Sequence, residues 1–393
     1  MSARFVLDAR HPVTRDHTVL GRHVLPGLAY VDVLWQGAAA RHDDLLRFEL
    51  CDVKIFRPLV VPADGAVTCD LDVAPEAGGS SRVTVRDAAS NGGSHHEGEV
   101  YASARLCDVG RPPFHERLIV ADAARSAAQV VDAESLYARC RARKLVHGDF
   151  MKVAGTVYVT DADIVADIRL GTAASAHANA VLFHPPLHDG ASVCLGRGFN
   201  HSRQSDQREL LLPIAFESFR AAAPLRTACL ARVRSASVTR LRDVTTFSIE
   251  FFDLHGDQVA ELRHLTNKSV REGVLSTSPT PTRTQRQTTT PARGREQTLE
   301  QRICELIAAM RGCPVDQIGA GHGFFDLGVS SANLLELIAA LEGELGSSLS
   351  PTLPYEYTTP ATLAAHLAGQ AGPTGTIRGS RPVGRLRDVA TET

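Results

Sequence analysis

The chain has little that would tie it to a membrane, a redox cofactor or a nucleic acid. No segment approaches the roughly twenty apolar residues of a bilayer span. The opening Met1-Ser2-Ala3-Arg4-Phe5 lacks the apolar run of a signal peptide. A Gly-rich dinucleotide turn following a strand is missing. The eight cysteines, at 51, 69, 107, 140, 194, 229, 304 and 313, are scattered and form no CxxC pair. That is the pattern of reduced thiols in a cytoplasmic protein, not of a disulfide framework. A formal net charge of −2 on 393 residues gives no reason to expect nucleic acid or a membrane surface as partner. Sixteen histidines are present, but no HxxH or HExxH helix and no Cys ligand set accompanies them, so local spacing predicts no metal.

What is there allows two or three domains. Apolar content of 44% with 22% charged residues is ordinary for a soluble globular protein. Residues 273–296 are nearly free of large apolar groups and rich in Thr, Pro and Arg, a composition that buries no core and predicts an extended linker. The segment 371–393, with Arg378, Arg381, Arg385 and Arg387, reads as a disordered tail. The expected organisation is a large region over 1–272, the linker, and a small helical domain over 297–370.

The large region reads as short strands around two helices. Runs such as Val67–Val73, Arg82–Val85, Gly98–Ala104, Gly155–Val159 and Thr245–Phe252 are β-branched and alternate with period two. They predict antiparallel strands with one buried face. Leu254-His255-Gly256-Asp257 is a hairpin turn joining the last of these to Val259–Leu262. Gly27–Gln36, after Pro26, is apolar almost all round and predicts a buried helix. A second central helix is expected to start near Asp189. One buried helix with several strands, occurring twice (about 1–115 and 125–272), is an α+β double hotdog pattern.

Two segments carry chemistry in this region. His17-Thr18-Val19-Leu20-Gly21-Arg22-His23-Val24-Leu25-Pro26 resembles the His-x3-Gly-x4-Pro motif of polyketide synthase dehydratase domains. His184-Pro185-Pro186-Leu187-His188-Asp189 is similar to the family's second signature, and Leu212-Pro213-Ile214-Ala215-Phe216-Glu217 to a further one. The resemblance covers residues 5–272. It implies His17 as the base for the α-proton of a 3-hydroxyacyl thioester and Asp189 as the acid for the departing hydroxyl. An imidazole and a carboxylic acid suit those tasks, and the acid would need a raised pKa. Backbone N–H groups near Gly27 would polarise the thioester carbonyl. His11, His23, His184 and His188 stand around both motifs without a ligand spacing.

The chain departs from the family pattern at two places. Val193 stands where the family carries Gln or His to hold the acid. His147-Gly148-Asp149 stands where it carries Tyr-Gly-Pro. Loss of such a partner alters the acid's orientation, and Asp149 near the tunnel would add a charge. Three readings follow: a dehydratase; a dehydratase-like isomerase or oxygen-heterocycle cyclase; or a non-catalytic acyl-holding module.

In the small domain, Phe325-Asp326-Leu327-Gly328-Val329-Ser330-Ser331 precedes a periodic helix with Leu334, Leu335, Leu337, Ile338, Leu341 and Leu345. A serine opening a helix is ordinarily a cap, and the same place suits a phosphodiester. The segment resembles the attachment site of acyl carrier domains, with Ser331 carrying 4'-phosphopantetheine; Ser330 replaces the usual Asp before it. Between 299 and 370 stand eight acidic and two basic side chains, as expected for a domain that docks on basic patches. The resemblance implies a phosphopantetheinyl transferase as partner. It also implies other polyketide synthase polypeptides supplying ketosynthase, acyltransferase and ketoreductase. A homodimer is expected by analogy alone.

Overall fold

The computed structural model describes residues 2–39, 44–76, 79–88, 98–179, 181–198, 210–241, 244–270, 290–324, 327–329, 331–347, 349–350 and 353–370. The described residues divide into two compact units, the first holding those up to Val270 and the second most of those from Thr290 onward.

In the N-terminal unit, two central helices are each wrapped by antiparallel strands. The first, Tyr30–Ala39, is led by a 3-10 turn at Gly27–Ala29. Leu28, Val31, Leu34 and Trp35 are wholly buried, as the uninterrupted apolar sequence dictates. The second, Pro185–Gly198, begins a turn earlier than expected, because two prolines suit the first turn of a helix. Asp189 therefore stands inside the helix, not at its start.

A thirteen-stranded sheet curves around both helices. The first half supplies Ser2–Asp8, Ala66–Pro75, Ser81–Asp87, Val100–Asp108 and Phe48–Ile55. The second supplies Leu210–Ala221, Gln258–Val270, Val244–Phe252, Ala228–Arg234, Asp163–Leu170, Val153–Val159 and Gln129–Asp132, with Thr239–Leu241 pairing onto Val244–Phe252. Leu210–Ala221 pairs with Phe48–Ile55, so the two half-sheets are continuous. The expected hairpin over 254–257 is present, with Val244–Phe252 against Gln258–Val270. One helix the sequence reading passed over, Ala133–Arg141, is started by the Asp132 carboxylate accepting from Glu134 N. All eight cysteines are free thiols.

The two halves are also tied through a buried carboxylate. Asp32, 3% exposed, accepts hydrogen bonds from the backbone N–H of Leu182 and of Phe183, each at 3.1 Å, and from Gln36. It reaches from the first helix to the segment that leads into the second. Burial raises its pKa, against the pull of those three donors.

In the C-terminal unit the α-helices among the described residues are Thr290–Arg311, Ser331–Leu345, Leu353–Glu356 and Pro360–Gln370. Leu334, Leu335, Leu337, Ile338 and Leu341 are buried with Ile303, Ile307, Phe324, Leu363 and Leu367. Gly328 turns the chain before the second helix with φ +71°. The first helix starts inside the segment expected to be linker, where Pro291 suits the first turn. The remainder of that linker over 273–289, the tail over 371–393, Ser330 and the side chain of Ser331 lie outside the described residues. No helix among the described residues is long and apolar enough to cross a membrane.

Removing the Asp32 carboxylate should leave two buried N–H groups without an acceptor, at about 1–3 kcal/mol each. Asp32→Ala is expected to lower the stability of the N-terminal unit by about 2–4 kcal/mol in urea unfolding. Asp32→Asn, which keeps an acceptor oxygen, should lose less than half of that.

Candidate active site

A small second sheet carries the site. Its strands run in the order Leu145–His147, His17–Val19, Arg22–Val24 and Val60–Val61. His17–Val19 and Arg22–Val24 pair as Thr18↔His23 and Val19↔Arg22, so a two-residue loop, Leu20-Gly21, joins them. Both loop residues have positive φ, +52° and +78°, the conformation that matches the twist of a tight hairpin. This explains the glycine in the motif. The hairpin folds the Val24 carbonyl back onto His17, whose Nδ1 lies 2.8 Å from it. Nδ1–H is thus the donor, and the lone pair stays on Nε2. His17 is 5% exposed, and burial depresses its pKa below the ordinary 6.5; the Asp189 charge opposes this and His147 adds to it. The ring is held neutral.

Leu145–His147 pairs with the other edge of His17–Val19, placing His147 directly opposite His17. The two rings meet edge to face at 5.2 Å. Asp16 fixes the loop beyond: its carbonyl accepts from Gly148 N at 2.8 Å and its carboxylate from Phe150 N at 2.8 Å. A β-carbon at Gly148 would stand 2.6 Å from Asp16 Cγ, so only glycine allows this approach.

Asp189 faces this pair from the second helix. His147 Nε2 donates to Asp189 Oδ2 at 2.9 Å, and both residues are buried. Burial alone would raise the carboxyl pKa. The hydrogen bond from His147, with the proximity of His147 and His17, outweighs it and holds Asp189 below the ordinary carboxylate value. The raised pKa expected from the sequence is not the resting condition.

The other expected positions resolve unequally. Val193, one turn beyond Asp189, packs into the apolar core and offers no polar atom; His147 supplies the missing partner. The signal for it was the replaced Tyr-Gly-Pro segment, but its link to Asp189 spans 42 positions. Asp149 is exposed, so it adds no charge to a buried site, contrary to expectation. Gly27 opens the 3-10 turn that leads the first helix. His188 is wholly buried among the rings of Phe183, Phe219 and Phe251, and burial lowers its pKa to about 3. His184, also depressed by burial, falls to about 4. His23 Nδ1 lies 3.1 Å from the Thr14 carbonyl. These three are packing residues.

Comparison with known proteins identifies the family and the fold. Residues 2–88 match the model described as polyketide synthase dehydratase domain. Residues 118–277 match the one described as polyketide synthase dehydratase N-terminal domain, and 301–367 the phosphopantetheine attachment site. Polyketide synthase PksL of Bacillus subtilis is 31% identical over 386 residues, 94% of this chain. PksM of the same organism is 30% identical over 363 residues, 92% of this chain. The chain spans 8% of the length of each. A monomeric dehydratase domain from a trans AT polyketide synthase split module is 31% identical with a TM-score of 0.65, covering 69% of this chain and 99% of that one. The CurF dehydratase of the curacin synthase, 15% identical with a TM-score of 0.60, covers 69% and 93% and shares the double hotdog fold. The chain belongs to the polyketide synthase dehydratase family and carries a phosphopantetheine attachment domain behind its double hotdog.

Proposed function

We propose that this protein dehydrates a carrier-bound 3-hydroxyacyl thioester to the α,β-unsaturated thioester. The supporting observation is a buried neutral imidazole whose Nδ1–H is spent on Val24, facing a buried carboxylate from the opposite half. His17 Nε2 takes the α-proton. The electron pair left on the α-carbon forms the double bond as the β-hydroxyl departs. That hydroxyl leaves as water with a proton that Asp189 takes up from solvent as the acyl chain enters, while its Oδ2 stays bonded to His147. The acyl chain drives off solvent around Asp189 and strengthens the burial effect that already pushes its pKa upward. The His17 proton then returns to Asp189, since one ligand atom of each lies within 4.8 Å of the other. His147 acts as a positioning residue that replaces the side chain absent at Val193. The amide at Gly27, leading the first helix, is suited to the thioester carbonyl. Retention of both His17 and Asp189 favours dehydration over double-bond migration or simple holding.

We assign Ser331 as the attachment point of 4'-phosphopantetheine, loaded by a phosphopantetheinyl transferase. Partner polypeptides supply elongation, acyl loading and ketoreduction. The substrate class follows: a chain that has been condensed and reduced to the 3-hydroxy level.

Intact-protein mass spectrometry tests this with a 3-hydroxyacyl phosphopantetheine loaded on the chain. Wild type should lose one water mass, while His17→Ala and Asp189→Asn should slow that step by at least a thousandfold and keep their folds. An Asp189→Asn protein as fast as wild type would contradict the acid assignment. Ser331→Ala should accept no phosphopantetheine; loading elsewhere would overturn that position. The base works only when neutral and its pKa is lowered, so the acid limb of the pH–rate profile should lie below 6.5. A limb above 7 would contradict a buried neutral His17.

A further inference from the structure

We propose that His17, His147 and Asp189 together bind a divalent transition-metal ion of the zinc type, and that the bound ion blocks turnover. One ligand atom from each residue lies within 4.8 Å of the other two, and His147 Nε2 and Asp189 Oδ2 are already 2.9 Å apart. Tetrahedral zinc, with bonds of roughly 2.0–2.2 Å, holds its donors about 3.3 Å apart. The separations in the cluster bracket that value, 2.9 Å for His147 and Asp189 and no more than 4.8 Å for any pair. Two imidazoles and a carboxylate suit zinc, cobalt(II) and nickel(II), and leave one position for water.

The surroundings are those of a ligand set. His17 gives its Nδ1–H to the Val24 carbonyl, the arrangement that fixes a ligating histidine with its other nitrogen toward the metal. The carboxylate supplies the anionic donor of the set. The Asp189 side chain keeps 11% of its surface exposed, so the cluster is not sealed from solvent. On ligation, His147 and Asp189 exchange their mutual hydrogen bond for bonds to the ion. The three residues come from two strands and a helix, which is why no local spacing announced them.

An ion held there engages the Nε2 lone pair and the carboxylate at once. Binding follows from the geometry alone, whereas the loss of turnover rests on the function proposed above. The tag-free 393-residue chain titrated with cobalt(II) chloride separates the two. The expected result is the visible absorption of low-coordinate cobalt, saturating at one equivalent, without the near-ultraviolet bands of thiolate ligation. Zinc should displace the cobalt and EDTA should reverse the binding. His147→Gln, which keeps a hydrogen-bond donor, and Asp189→Asn should each weaken binding at least tenfold, with folding checked by circular dichroism. Thiolate bands, absorption unchanged in both variants, or no absorption at millimolar cobalt would overturn the site. Metal bound at the cluster while the wild-type enzyme dehydrates at full rate would overturn the blocking role. An apoprotein that never dehydrates would instead defeat the functional reading and leave the cobalt result standing.

Discussion

A three-residue strand pairing is the constraint on which the site depends. His17–Val19 lies between the hairpin strand Arg22–Val24 and the crossing strand Leu145–His147. The first contact aims one imidazole; the second brings another across from it. Side chains alternate faces along a strand, so a one-residue slip would turn His147 away from Asp189. The register is pinned at both ends. Leu20 N bonds to the Lys144 carbonyl at 2.8 Å, and Asp16 holds Gly148 and Phe150. Asp32 performs the matching task for the helix, gripping the backbone at Leu182 and Phe183 just before it starts.

Those anchors make a costly arrangement persist. A carboxylate buried without a partner is strongly disfavoured, and Asp189 is tolerated as an anion because His147 donates to it. His17 bears the opposite solution: its ring stays neutral and its one N–H is satisfied by a backbone carbonyl. The pair therefore rests with His17 neutral and Asp189 ionised; in the proposed reaction, desolvation by the acyl chain tips the carboxyl toward its protonated form. Binding and chemistry are linked through one dielectric change. The same resting state, a neutral imidazole beside a carboxylate, is what a metal ion prefers.

Much of this was legible in the sequence, and the gaps have physical causes. The helix after Pro26 could be read because most of its residues are buried, and the hairpin at Leu254–Asp257 because its turn residues are local. His17 could be singled out because the loop Leu20-Gly21 leaves its mark within the motif itself. The helix Ala133–Arg141 was passed over, since its outer faces carry Glu134, Arg139 and Arg141 and its signal is weak. The Asp189 environment was misjudged because its partner is 42 positions away; no periodicity reports such a contact. Asp149 stands two residues beyond His147 yet is exposed where His147 is buried, a distinction that only the fold can make.

The most direct test of this account is the tautomer of His17 in the full-length chain, read from the ring nitrogens of protein labelled with nitrogen-15 histidine and assigned against His17→Ala. At neutral pH the account requires a neutral ring with the proton on Nδ1 and a bare Nε2. An imidazolium, or a proton on Nε2, would remove the base from which every step above proceeds.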